Sequence, residues 1–246
     1  MDTVFQSKPQ ALISYVMVGD DSYEASLSYA RFLIENGADI LELGMPFSDP
    51  AADGETILKA GLRAQASGTK MRDVFRFAKT LKASYDTPLV IMSYLNPIFQ
   101  FGYDDFFKQA AEAGVEAVII PDLPYEGIGE IKPFLEKYNI KSITMIALNT
   151  PSTRIEKLVK HASGFLYLVA IKGITGTQRV DAKALKPIVE EIKKVTKVPL
   201  VAGFGIRDIE DRKSLLGIVD GVVIASAFIT LRENNQLSEI QSVLNF

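Results

Sequence analysis

Three carboxylates lie close together in the stretch Ile40–Gly54 and are set in contrasting surroundings. Glu42 sits in the middle of an apolar run, Ile40 to Leu43, that has the look of a buried strand. Asp49 and Asp53 follow in a loop punctuated by Pro46, Pro50 and Gly54. A charge inside an apolar strand is costly unless it is paired or used. Proton transfer is the chemistry such a group would serve. The rest of the composition narrows who else can take part: there is no cysteine, and His161 is the single histidine. A thiolate nucleophile, a disulfide and a multi-histidine metal site are therefore excluded, leaving carboxylates, tyrosines and lysines as proton carriers.

A second group of residues could hold an anion. Gly203-Phe204-Gly205-Ile206 ends one apolar run, and Ala225-Ser226-Ala227 ends the next and leads into a short helix. Glycine-rich turns let backbone N–H groups approach a phosphate, and a helix N-terminus adds its dipole. Ser226 could both cap that helix and donate to a phosphate oxygen. Gly173-Ile174-Thr175-Gly176 could fold over the same phosphate from the other side. Each residue also has a plain structural reading. Glu42 fits a strand glutamate at a rim, and Asp53-Gly54 and Asp49-Pro50 fit turns. Asp122 fits a cap, Tyr94 and Tyr167 fit core or pocket, and His161 fits a solvated helix end.

The elements that must position these groups repeat along the chain. Strands are expected at Ala11–Val18, Ile40–Gly44, Leu89–Tyr94, Ala117–Ile120, Ser142–Ala147, Phe165–Val169, Pro199–Ala202 and Gly221–Ile224. Each is nearly continuous in apolar residues, as parallel strands covered on both faces are. Amphipathic segments alternate with them at Tyr23–Asn36, Met71–Ser84, Tyr103–Ala113, Ile128–Lys137, Arg154–His161, Ala182–Val195 and Asp208–Leu216, with a further helix inserted at Thr56–Ser67. Asn36-Gly37 is a helix stop, and Thr150-Pro151-Ser152-Thr153 a helix start. Eight strand–helix units of about 31 residues read as a closed (β/α)8 TIM barrel of the α/β class, in one domain spanning residues 1–246. An open doubly wound sheet is the other possibility, but Gly19-Asp20-Asp21 does not supply its G-x-G-x-x-G turn. The carboxylate loop and the glycine turns then share the C-terminal face, where barrel enzymes place their chemistry.

Composition agrees with a soluble enzyme. Of 246 residues, 48% are hydrophobic and 23% charged, and a net charge of −3 without a basic run argues against a nucleic-acid surface. Neither a long apolar span nor a signal-peptide pattern is evident, and a cytoplasmic location is the expectation.

The order Leu41-Glu42-Leu43-Gly44-x-Pro46-Phe47-Ser48-Asp49-Pro50-x-Ala52-Asp53-Gly54 resembles the signature of the tryptophan synthase alpha chain family. The likeness continues in Tyr15-Val16-Met17-Val18-Gly19-Asp20, Met92-Ser93-Tyr94-Leu95-Asn96-Pro97, Pro121-Asp122-Leu123-Pro124, Tyr167 with Gly173–Gly176, and Gly203–Ile206 with Ser226. The resemblance implies cofactor-free retro-aldol cleavage of indole-3-glycerol phosphate to indole and glyceraldehyde 3-phosphate. By position, it makes Glu42 the acid at the indole C3 and Asp53 the ionised partner of the indole N–H. Tyr167 would orient the glycerol chain or Glu42, and Thr175 would close onto Asp53. Tyr15, Met92, Ile119, Ile146 and Phe204 would form the apolar indole slot. Gly176, Gly203, Gly205, Ala225 and Ser226 would hold the phosphate. It further implies a beta subunit as partner, docked on 46–54 and 96–101, with pyridoxal phosphate only in that partner.

Departures from the family pattern are local. Glu55 and Leu58 stand where a Pro and a Gln are usual, Ala170-Ile171 replaces a Ser-Arg pair, and Ala225 replaces a Gly. They motivate an alternative, a barrel with little or no catalysis that serves mainly to activate a beta subunit. The short N-terminal segment implies that the helix closing the barrel floor is missing or rudimentary.

Overall fold

The computed structural model describes residues 1–169, 181–203 and 205–246. Among them nine parallel strands form one sheet: β1 (Ala11–Met17), β2 (Ile40–Gly44), β3 (Leu89–Met92), β4 (Val115–Ile119), β5 (Lys141–Ser142), β6 (Thr144–Ala147), β7 (Leu166–Val169), β8 (Leu200–Gly203) and β9 (Gly221–Ile224). The strand order is β5-β4-β3-β2-β1-β9-β8-β7-β6, with chain neighbours side by side throughout. The two outer members are halves of one strand interrupted at Ile143. The first half pairs back with β4 and the second forward with β7, and Ile143 N–H donates to the Val118 carbonyl at 2.9 Å. The sheet thus closes through that strand into the expected eight-stranded barrel, without the order reversal of an open doubly wound sheet.

Twelve α-helices cover the described barrel: α1 (Asp2–Ser7), α2 (Tyr23–Glu35), α3 (Glu55–Ala66), α4 (Met71–Lys82), α5 (Leu95–Phe101), α6 (Tyr103–Glu112), α7 (Ile128–Tyr138), α8 (Ser152–Val159), α9 (Ala182–Val195), α10 (Ile209–Ser214), α11 (Ser226–Glu233) and α12 (Leu237–Leu244). Their ends follow side-chain chemistry. Ser22 caps α2 by accepting from Ala25 N–H at 3.0 Å, and Asp181 and Asp208 cap α9 and α10 in the same way. Gly37, at φ 113°, turns the chain after α2. Asp122 caps a helix that is not its own: its Oδ1 accepts from Leu95 N–H at 2.9 Å, at the start of α5.

Alternation along the strands splits the core in two. One set, including Leu12, Leu41, Leu43, Ile91 and Leu168, faces the helices. The other, including Ile13, Tyr15, Val90, Met92, Ile119, Tyr167, Val201 and Val223, fills the barrel. The floor is closed by α1, a single short helix. Phe5 packs its ring 5.9 Å from Phe165, and the Met1 amine pairs with Glu116 at 2.8 Å. A helix of six residues therefore closes the floor, where the short N-terminal segment implied a missing or rudimentary one.

The inserted helix α3 lies across the mouth side of β1. Ile57, Ala60 and Ala64 belong to the barrel cluster, and Gly61 comes within reach of Met17. Asp20, on the turn after β1 and 2% exposed, ties α3 to α11. It accepts from Arg63 at 2.6 and 3.0 Å and from Arg232 at 3.0 Å. Among the described residues no helix is long and apolar enough to cross a membrane.

Candidate active site

Strand periodicity decides where Glu42 points. Its neighbours Leu41 and Leu43 turn to the helices, so Glu42 enters the barrel beside Tyr15 on β1 and Val90 on β3. It is 5% exposed, and its Oε2 has no hydrogen-bond partner among the described residues. Burial, and after it the nearby charge of Asp53, pushes its carboxyl up to about 8. Glu42 is therefore protonated at neutral pH and able to act as an acid.

Asp53 is fixed from across the mouth. It lies on the loop between β2 and α3, just ahead of Gly54, which precedes the first turn of α3. The Tyr94 hydroxyl donates to its Oδ1 at 2.9 Å and accepts from Ala52 N–H at 3.0 Å. Phe47 packs 5.4 Å from the Tyr94 ring and holds it in place. Burial raises the Asp53 carboxyl while the Tyr94 bond lowers it. The two acids thus sit in different settings, one with an unpartnered oxygen and one hydrogen-bonded, which is how paired carboxylates divide acid and charge-stabilising roles. Tyr94, which the sequence left between core and pocket, is the anchor of the second acid.

Tyr15 and Tyr167 both lie over glycines. A Cβ on Gly44 would come 1.9 Å from the Tyr15 hydroxyl, and one on Gly203 would come 2.2 Å from that of Tyr167. Each ring leans along the sheet into the space a missing side chain leaves. Gly203 therefore makes room for Tyr167 and is not among the residues lining the cavity.

The cavity at the mouth measures about 600 Å³ with its open end. Tyr15, Met92 and Ile119 line it from one side and Gly205, Ala225 and Ser226 from another, with Glu42, Asp53 and Tyr167 between. Ile146 does not reach it. In β6 the inward position belongs to Met145, paired with Tyr167, while Ile146 packs with Ile155 and Leu168 against the helices. A near-continuous apolar strand hides which face is which, so the sequence reading slipped by one residue. Ile206, at the end of the glycine turn, also lines the cavity, as do Ile57 and Val223, which no sequence pattern marks; in Ile57's case the sequence shows α3 only as an insertion.

The turn after β9 differs in detail from expectation. Ala225 occupies the cap position and Ser226 begins α11, with no side-chain cap among the described residues. Ser226 is consequently not the cap; it opens α11 and lines the cavity with Ala225. Gly205, at φ 78°, makes the corresponding turn after β8. Thr175, Gly176 and Phe204, with the altered pair Ala170-Ile171, lie outside the described residues. His161 is exposed and stacks 6.3 Å from Tyr125, away from the cavity.

Comparison with known proteins places these features in a family. The family model for the tryptophan synthase alpha chain matches residues 1–245. A tryptophan synthase alpha chain from Bacillus cereus is 41% identical over 236 residues, covering 96% of this chain and 92% of the relative. Among solved structures, tryptophan synthase subunit alpha from Campylobacter jejuni superposes with a TM-score of 0.86 at 34% identity, covering 96% of each chain. A chain from a structure of the tryptophan synthase a2b2 complex of Pyrococcus furiosus superposes with a TM-score of 0.87 at 31% identity, covering 96% of this chain and 98% of that one.

Proposed function

The chain belongs to the tryptophan synthase alpha chain family, and from that premise we propose that it cleaves indole-3-glycerol phosphate to indole and glyceraldehyde 3-phosphate. The observation that carries this reading is a buried carboxyl, Glu42, held up to about 8 opposite the hydrogen-bonded Asp53 in one cavity. Protonated Glu42 delivers its proton to the indole C3, and the ring becomes an indoleninium cation. Asp53 accepts the ring N–H and stabilises that positive charge. The Glu42 carboxylate then takes the proton of the hydroxyl on the adjacent chain carbon. The C–O bond becomes a carbonyl, the carbon–carbon bond breaks, and its electrons return to the ring. Glu42 ends the cycle protonated, and no cofactor enters.

The supporting roles follow. Tyr167 orients the glycerol chain, and Thr175, outside the described residues, keeps the role toward Asp53 that the resemblance gives it. Met92, Ile119, Phe204 and Met145 form the apolar slot. Gly176, Gly205, Ala225 and Ser226 receive the phosphate, with α11 supplying its N-terminal turn. One barrel domain carries the whole site. The chain works in the cytoplasm with a tryptophan synthase beta subunit, which holds any pyridoxal phosphate. Its likeness to a chain of the Pyrococcus furiosus a2b2 complex supports that partnership. Phe99 on α5, 60% exposed, fits the docking segment at 96–101. The assembled acid pair speaks against a barrel that only activates its partner.

The test is Glu42→Gln, which keeps shape and removes the proton. Indole release from indole-3-glycerol phosphate is expected to fall by about 10³-fold with substrate binding retained. Near-normal turnover would remove Glu42 as the acid.

A further inference from the structure

A buried charge outside the reacting groups sits at the mouth end of β1. Asp20, on the turn after that strand, is 2% exposed and takes two guanidinium groups at once. Arg63 Nε and Nη2 donate to its Oδ1 and Oδ2 at 2.6 and 3.0 Å, and Arg232 Nη1 donates to Oδ2 at 3.0 Å. Asp21 and Glu233 complete the cluster at its rim, the first accepting from Arg232 at 2.7 Å and the second paired with Arg63 at 2.7 Å. Arg232 also lies over the Tyr29 ring at 5.0 Å. A buried ion cluster adds little net stability, because desolvation offsets the attraction; what it can hold is a particular arrangement of its partners.

The partners here are the two helices that meet the cavity. Around the barrel β1 stands between β9 and β2, so its turn lies between α11, which follows β9, and α3, which follows the loop of β2. Both helices begin at the mouth: Asp53 and Gly54 precede α3, and Ser226 opens α11. Arg63 and Arg232 lie in their last turns, so Asp20 joins the far ends of both. Ser67, just past α3, donates to the Gly19 carbonyl at 2.9 Å and seats the same turn against that end. A substrate with its ring N–H on Asp53 and its phosphate at Ser226 spans the near ends of this frame. Helices move as stiff units, so a tilt at the joined ends becomes a change of span at the mouth.

We infer that Asp20, through Arg63 and Arg232, is a positioning residue that sets the distance between Asp53 and the phosphate turn at Ser226. The inference rests on the lyase reading, which places the two ends of one substrate at those helices. It gives the cluster a part in specificity, since a ligand is selected by the length between its ring and its phosphate.

Arg232→Met tests it by cutting the α11 end of the link while Arg63 keeps Asp20 paired, and Asp20→Asn disturbs both ends. Three ligands separate the effect from a general loss of structure. Indole and glycerol 3-phosphate each occupy one end, and indole-3-propanol phosphate spans both. In Arg232→Met the affinity for the spanning ligand is expected to fall about fivefold, with each fragment held within about twofold, because only simultaneous engagement depends on the span. The kcat/KM for indole release should fall about tenfold, since misplacement from a remote site still costs rate. Arg232→Lys, which keeps a cation for Asp20, should recover most of both. Asp20→Asn should show the same split more strongly, and if it does not fold Arg232→Met decides alone. Spanning-ligand affinity within about twofold of the parent in Arg232→Met, or equal losses for fragments and spanning ligand, would overturn the inference while the parent remains active. A parent that releases no indole would instead overturn the lyase reading and this one with it.

Discussion

Strands β1 to β3 and strands β8 and β9 meet the same cavity with opposite materials. On the first side the proposed chemistry rests on side chains: Glu42 with its unpartnered oxygen and Asp53 held by Tyr94. On the second the proposed phosphate site rests on backbone, at the turn of Gly205 and the first turn of α11. The difference has a physical reason. An acid must be tuned by desolvation, which needs a side chain sunk among apolar neighbours. A phosphate keeps its charge throughout and needs only N–H groups pointed at it, which a turn and a helix end supply. Side-chain sites should thus fail sharply on substitution and backbone sites gradually.

The sharpest break is expected with pH. The folded Glu42 carboxyl holds its proton up to about 8, against an ordinary value of 4.5. Between those limits the folded chain keeps a proton that the unfolded chain has released. The stability it contributes is therefore complete below about 4.5 and is lost as pH rises through about 8. Activity should fall about tenfold per pH unit above that point, in a rate profile read from about pH 6 to about pH 10. Thermal midpoints measured in parallel should decline with pH for the parent and stay flatter for Glu42→Gln.

A smaller effect should follow from Tyr94→Phe, which frees Asp53 and the Ala52 N–H together. We expect about a tenfold loss in kcat with little change in KM, checked by steady-state kinetics. Smallest of all is Ser226→Ala on the backbone side, where KM should rise about threefold and kcat stay unchanged. If Ser226→Ala were as damaging as Tyr94→Phe, the division between the two sides would be wrong.

The sequence was most legible where one physical demand dominates. Ile40–Gly44 and Gly221–Ile224 match β2 and β9, and Ala182–Val195 matches α9, because doubly buried strands and a strongly amphipathic helix leave unambiguous patterns. Glu42 stood out for the converse reason, as a charge in an apolar run. Short elements were missed: α5 and α12 are seven and eight residues, too brief for a period to show. Facing was hidden too, since Thr144–Ala147 reads almost alike in either register and only the pairing of Met145 with Tyr167 settles it. The Tyr94–Asp53 bond joins residues 41 apart, which no local pattern announces.

The pairs Tyr15–Gly44 and Tyr167–Gly203 also restrict the order in which the barrel mouth can diverge. A methyl group on either glycine would overlap the facing ring, so that change is damaging while the tyrosine stays. Trimming the tyrosine first opens the space, after which the glycine can vary. Each pair is in effect a single heritable character written at two distant places in the chain, and descendants that alter it must take the larger residue first.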